Sequence, residues 1–167
     1  MTLVYLAIGS NLGDRKKHLI DAINLLHSYA AVEAIAPLYE TSAYGMTDQP
    51  PFLNSALRIK TKQKPEELLA TLKEIEKKVG RKKRVRWGPR EVDLDIIFYD
   101  DLILNSPDLF IPHPDFHNRR FVLNPLSDLD ADFISPSHQK SISELLTICR
   151  DLTNIELIER DWYPQWT

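Results

Sequence analysis

The residue types able to do chemistry crowd into one stretch, Arg81 to Tyr99, RKKRVRWGPREVDLDIIFY. It opens on Arg81, Lys82, Lys83, Arg84, Arg86 and Arg90, and its first acid is Glu91, followed by Asp93 and Asp95. Polyphosphate chemistry needs both halves: cations hold phosphate oxygens, and paired carboxylates hold the divalent ion that neutralises them. The acidic half has strand periodicity, which puts Val92, Leu94, Ile96 and Phe98 on one face and Asp93 and Asp95 on the other. Along a strand the two acids stand about 6.6 Å apart, so they could converge on one ion or bridge a pair about 3.5–4 Å apart. Hard oxygen donors with no Cys or His beside them favour magnesium over zinc. A lone Asp-x-Asp is more often solvated edge strand; the neighbouring arginines make a working site the better reading.

The elements that must position this stretch follow from the patterning of the rest. Thr2–Ile8 is a short apolar strand, and Gly9, Ser10, Asn11 and Gly13 form a turn with Asp14 as helix N-cap. The turn lacks the Lys-Ser/Thr ending of a Walker loop, so it reads as a tight turn rather than a phosphate cradle. A helix then runs to about Tyr29. Val32–Thr41 is extended with a break at Pro37, and Phe52–Thr61 is a third strand with Leu53, Leu57 and Ile59 on its core face. Phe52 and Asn54 point the other way, an aromatic beside an amide, which suits a flat heterocycle. Pro65 starts a second helix that Gly80 ends, with Lys73 and Glu76 sharing a face off its apolar stripe. This order predicts an α+β, ferredoxin-like βαββαβ antiparallel sheet with the Asp-bearing strand outermost. Further C-terminal helices and strands, near 119–126, 141–150 and 155–159, are expected to cover the other face. The tail from Asp161 is expected on the surface or without order.

The 167 residues carry a net charge of −3, so the basic run is local and a general nucleic-acid surface is not expected. There are no repeats or linkers, which predicts one domain over residues 1–167. No apolar run has the length of a membrane span, and the start lacks the charged region of a signal peptide. The single cysteine, Cys149, excludes an internal disulfide and fits a cytoplasmic protein with a packed thiol. A monomer without nucleic-acid or membrane partners is expected.

RWGPREVDLDII closely resembles the signature of the 6-hydroxymethyl-7,8-dihydropterin pyrophosphokinase family of folate biosynthesis. AIGSNLGDR, YET followed by QPPFLNSA, IEKKVGR and IPHPDFHNRRFVLNPL resemble that family's other conserved stretches, in its order. The resemblance implies magnesium-dependent transfer of pyrophosphate from ATP to the pterin hydroxymethyl group, with AMP released. It assigns two magnesium ions to Asp93 and Asp95, and catalytic neutralisation of the moving group to Arg81 and Arg90. It places Arg84, Arg86, Trp87, His113 and Arg119 on ATP, with Glu76 and Ile96 near base and ribose. For the pterin it implies Phe52 and Phe121 on the ring faces, Asn54, Thr41, Ser42 and Tyr44 at the edge, and Trp87 closing over both ligands. Tyr44 is bulkier than the family's usual residue there. Two other classes stand beside this reading: a ferredoxin-like RNA-binding module, whose phosphates Asp93 and Asp95 would repel without metal, and a non-catalytic structural module. His113 and His117 lack a third patterned ligand for zinc.

Overall fold

The computed structural model describes residues 1–42, 48–82 and 89–164. The strands are β1 (Thr2–Ser10), β2 (Ala31–Ile35), β3 (Leu38–Thr41), β4 (Phe52–Thr61), β5 (Asp93–Tyr99), β6 (Leu104–Asn105), β7 (Phe110–Ile111) and β8 (Ile155–Glu159). The helices are α1 (Arg15–Leu26), α2 (Pro65–Val79), α3 (Arg120–Asp130) and α4 (Ile142–Ile148). The main sheet runs β5-β1-β4-β3-β8, with β2 also paired to β4. Reading β2 and β3 as one strand broken at Ala36 and Pro37, the first six elements give the expected βαββαβ unit, and β5 is its edge.

Local chemistry explains the helices that brace this sheet. Asp14 Oδ1 accepts from Lys17 N at 3.2 Å and starts α1, which buries Leu19, Ala22, Ile23 and Leu26. Pro65 opens α2, Glu66 and Glu67 sit at its positive end, and Gly80 stops it in a left-handed conformation, φ 116°. Both helices pack on the face that carries Val4, Leu6, Ile8, Leu57, Ile59, Leu94 and Ile96. On the opposite face α3 and α4 enclose a second core around Tyr5, Ala56, Ile97, Phe98 and Phe116. They leave the rest of that face, beside β5, open to a cavity.

One strand expectation is corrected. Phe98 does not share the face of Val92, Leu94 and Ile96; it lies in the second core with Ile97. The register between β1 and β5 shifts there, since Tyr5 pairs with Phe98 and Leu6 with Ile96. Ile97 is the extra residue of a bulge, which is how two consecutive side chains reach one face. Phe98 gains ring contacts to Phe116 at 4.9 Å and Phe133 at 4.7 Å. Two other boundaries move: Gly9 and Ser10 belong to β1 rather than to the turn, and α1 ends at Leu26. The tail is also tied down through Trp162, which is buried and donates from Nε1 to Ala36 O at 2.8 Å. Among the described residues no helix is long and apolar enough to cross a membrane.

Candidate active site

The floor of the site is written in strand register. Gly9 in β1 stands opposite Asn54 in β4 on one side and Asp93 in β5 on the other. Ala7 likewise stands between Ala56 and Asp95. Paired residues share a face, so one pleated surface carries an amide at one end, small residues in the middle and two acids at the other. Gly9 must be bare: a Cβ there would lie 2.6 Å from Asn54 Oδ1 and 3.4 Å from Phe52 Cδ1. Asn54 is buried, and its Nδ2 donates to Thr41 Oγ1 at 2.6 Å, which fixes the amide from the side of β3.

Above this floor lies a cavity of about 300 Å³, lined by Thr41, Ser42, Phe52 and Asn54 at one end and Arg90, Asp93 and Asp95 at the other. His113, Arg119, Phe121 and Val122 form the wall beside α3. The wall is braced from β5. His113 N donates at 3.1 Å to the carbonyl of the bulged Ile97. The His113 ring accepts at Nδ1 from Asp115 N at 3.2 Å, so a neutral ring carries its proton on Nε2. Burial, with Arg119 nearby, pushes the His113 pKa down to about 4, which keeps the ring neutral at physiological pH. Asp115 also accepts from Arg119 Nε at 3.1 Å.

The charges are arranged around Asp93. Its Oδ1 pairs with Arg81 NH1 at 3.1 Å and its Oδ2 with Arg90 NH1 at 3.1 Å. Arg81 NH1 also pairs with Glu76 Oε2 at 2.8 Å, and the same oxygen accepts from Leu94 N at 2.8 Å. Glu76 is buried; its burial, and the charge of Asp93, push its pKa up to about 7 despite Arg81. Asp95 is raised as well, by burial first and then by the charges of Asp93 and Glu76. Arg119 and Arg90 offset this only in part at Asp95, while Arg81 and Arg90 pair directly with Asp93.

The sequence pattern of one family, 7,8-dihydro-6-hydroxymethylpterin-pyrophosphokinase (HPPK), matches residues 5–131. The chain belongs to this family. It is 42% identical over 144 residues to a 2-amino-4-hydroxy-6-hydroxymethyldihydropteridine pyrophosphokinase of Aquifex aeolicus, covering 86% of this chain and 90% of the relative. It is 44% identical over 129 residues to the enzyme of the same description from Bacillus subtilis, covering 76% of this chain and 77% of the relative. A crystal structure of wild-type Plasmodium falciparum HPPK-DHPS with pteroate has the same fold, with a TM-score of 0.72 at 16% identity. The likeness covers 87% of this chain and 42% of that one, so the chain spans under half of those solved chains.

Of the residues the pyrophosphokinase resemblance singles out, Thr41, Ser42, Phe52, Asn54, Arg90, Asp93, Asp95, His113, Arg119 and Phe121 line one cavity. Arg81 joins them through Asp93. Glu76 and Ile96 do not line it: the Glu76 carboxylate is committed to Arg81 and Leu94 N, and the Ile96 side chain lies in the core under α1 and α2. Tyr44, Arg84, Arg86 and Trp87 lie outside the described residues.

Sequence reasoning passed over Gly9 as floor and Asn11 as a tie. Asn11 is 1% exposed. Its Nδ2 donates to Gln49 Oε1 at 2.7 Å and Pro50 O at 3.0 Å, and its Oδ1 accepts from Arg90 N at 2.9 Å. The Asn11 amide also donates to Arg90 O at 3.2 Å. The end of β1 therefore holds the approach to β4 and the backbone of Arg90 together. An asparagine directly after an apolar strand was the only signal available, and it also fits an ordinary turn.

Proposed function

We propose that the chain transfers the β,γ-pyrophosphoryl group of ATP to the hydroxymethyl oxygen of 6-hydroxymethyl-7,8-dihydropterin, releasing AMP, as one domain in folate synthesis. The observation that carries this reading is the single floor with a heterocycle-reading end and a phosphate-handling end, in a member of the pyrophosphokinase family. Phe52 and Phe121 hold the ring faces, and Asn54, steadied by Thr41, reads the ring's hydrogen-bonding edge. Ser42 lines the same end, and the family resemblance assigns Tyr44 to that edge and Trp87 to covering the ligands. Arg119 and His113, which line the cavity, are assigned to the ATP phosphates; the family resemblance assigns Arg84 and Arg86, which lie outside the described residues, to the same ligand. Arg81 and Arg90 neutralise the transferred group, and guanidinium forks suit its oxygens. Glu76 acts through Arg81 and Leu94 rather than through the cavity, and Ile96 can reach ligand only through its backbone.

The donor set suits magnesium. Asp93 and Asp95 offer hard oxygens on one face, and Asp95 is raised by burial first and then by the charges of Asp93 and Glu76. Among the described residues no three His, Cys, Asp or Glu side chains are grouped to hold a metal ion, so Asp93 and Asp95 would hold the two proposed ions together with phosphate oxygens and water. When bound, magnesium supplies charge neutralisation on the triphosphate and polarises the hydroxyl. The protein's part is alignment. The stacked ring and the strand-held acids fix the hydroxyl and the triphosphate relative to each other, and such positioning accounts for much of phosphoryl-transfer catalysis. An RNA-binding role finds no support in the comparisons, since the matched family and the named relatives are pyrophosphokinases.

Incubation with ATP, magnesium and the hydroxymethyl pterin is expected to release AMP and pterin diphosphate. Release of ADP, or no product, would reject the reading. Gly9→Ala is expected to weaken pterin binding about tenfold or more, because the added methyl drives Asn54 out of its seat and leaves a buried group unpaired. Nucleotide affinity should stay within about twofold, since the atoms nearest the added methyl belong to Asn54, Phe52 and Leu53 rather than to the acids. Calorimetric titration of each ligand checks both parts.

A further inference from the structure

We propose that Asp151, which lies beyond the matched residues 5–131, is a positioning residue for this reaction: it caps, from a distance in sequence, the helix that delivers Arg119 and Phe121 to the cavity. The proposal rests on the functional reading above.

Helix α3 starts without local help. Its N-cap residue, Arg119, makes no side-chain capping hydrogen bond, and the first turn contains no acid. The first amides of a helix need acceptors, and its positive end favours an anion. Both needs are met by Asp151, 31 residues further on, whose Oδ2 accepts from Arg120 N at 2.9 Å. Arg120 answers with its side chain: Nε donates to Asp151 O at 3.0 Å and NH2 to Cys149 O at 3.3 Å. The carboxylate is itself pinned, since Oδ1 accepts from Thr153 N at 2.9 Å and from Thr153 Oγ1 at 2.5 Å. Burial alone would raise this carboxyl, but the bonds from Thr153 and Arg120 outweigh it and hold it below the usual range.

The capped residue stands between the two that matter. Arg119 is extended, φ −120° and ψ 104°, and Arg120 is the first helical residue. The orientation of that one peptide decides where the guanidinium of Arg119 and the ring of Phe121 point. Asp115 fixes Arg119 from the preceding segment, and Asp151 fixes the turn from the following one. A displacement of about 1 Å in a positioning group can cost about 10²-fold in rate.

The test uses the whole chain and calorimetric titration with the hydroxymethyl pterin, in the presence of magnesium and a non-hydrolysable ATP analogue. Asp151→Ala is expected to weaken pterin binding about tenfold, the size of a lost cap expressed at the site. Asp151→Asn, whose amide oxygen can still accept from Arg120 N but whose amide nitrogen cannot accept from Thr153, should lose about two- to fourfold, short of the alanine variant. The comparison variant is Tyr5→Phe, which removes the 2.6 Å bond from Tyr5 to Asp130 at the far end of α3. It should lower the thermal midpoint yet leave pterin binding within about twofold. If Asp151→Ala does not fold, Thr153→Val, which removes one brace of the carboxylate, carries the test with an expected loss of about two- to fourfold. The proposal is overturned if Asp151→Ala, or Thr153→Val in its place, binds pterin as the wild type does. It is equally overturned if Asn fails as Ala does, or if Tyr5→Phe weakens binding as much as Asp151→Ala. A wild type that neither binds pterin nor releases AMP would reject the functional reading and this proposal with it. Normal wild-type turnover with an unaffected Asp151→Ala rejects this proposal alone.

Discussion

Asp95→Asn is expected to cut turnover by at least about 10³-fold, the scale seen when a preorganised charge is removed from a transition state, while making the protein more stable. The first half follows from position. Asp95 faces the cavity from the same strand face as Asp93, and the two supply the carboxylate oxygens proposed to hold the divalent ions of the nucleotide. The second half follows from electrostatics. Burial and the charges of Asp93 and Glu76 raise the folded-state pKa of Asp95 above its ordinary carboxylate value. A group raised in this way contributes stability while protonated, below its unfolded value, and loses that contribution as pH rises through its folded value. As pH rises above the ordinary carboxylate range, Asp95 in the fold must therefore keep its proton or ionise in a buried site, either of which costs stability, and a neutral amide of the same shape does not. With a chelator present, the melting temperature of the variant should exceed the wild type's by at least about 2 °C at pH 8. The gap should shrink as pH falls back toward the ordinary carboxylate range. A variant with near-normal turnover would reject the metal assignment; a variant that melts lower at pH 8 would reject the electrostatic account.

Arg90→Ala is expected to lower kcat by about 10³-fold, in the range of arginines that stabilise a transferring phosphoryl group, with KM for both substrates within about fivefold. Its backbone is tied on both sides to Asn11, N–H to Oδ1 and carbonyl to amide, so truncating the side chain leaves the chain path in place. Asp93 also keeps its second partner, Arg81, at 3.1 Å. What disappears is a guanidinium proposed to gain contacts as charge develops on the moving group, and such a loss falls on the chemical step. Arg90→Lys should recover only part of the rate, since an ammonium cannot replace a planar fork. Steady-state kinetics with single-turnover measurement of AMP release decides the matter, and a rise in KM alone would contradict the role.

Much of this was legible before any coordinates. The period-two pattern put Asp93 and Asp95 on one face of an outer strand, and they are there because Val92, Leu94 and Ile96 bury the other face of the sheet. Phe52 and Asn54 were separated from Leu53, Leu57 and Ile59 by the same alternation. The failures share one cause: partners distant in sequence. The alternation was carried one residue pair too far at Phe98, since the bulge at Ile97 is decided by pairing with β1 and by the aromatic cluster behind it. Glu76 reads only as an acid off the apolar stripe of α2 until β5 brings Leu94 N to it. Asn11 bonds residues 38 and 79 positions away, and the start of α3 borrows its cap from Asp151. Trp162 belongs to the tail by sequence and to the core by packing. Local periodicity carries no information on such ties, because it records only which way a side chain points.

The row Asn54–Gly9–Asp93 crosses three adjacent strands. Its two functional ends are therefore separated by two interstrand spacings, about 9.5 Å, a length maintained by the backbone ladders of β4, β1 and β5. The sheet acts as a ruler between ring and acid. Changes in the surrounding loops can alter how a substrate enters or is covered, but they leave untouched the span a molecule must bridge to use both ends.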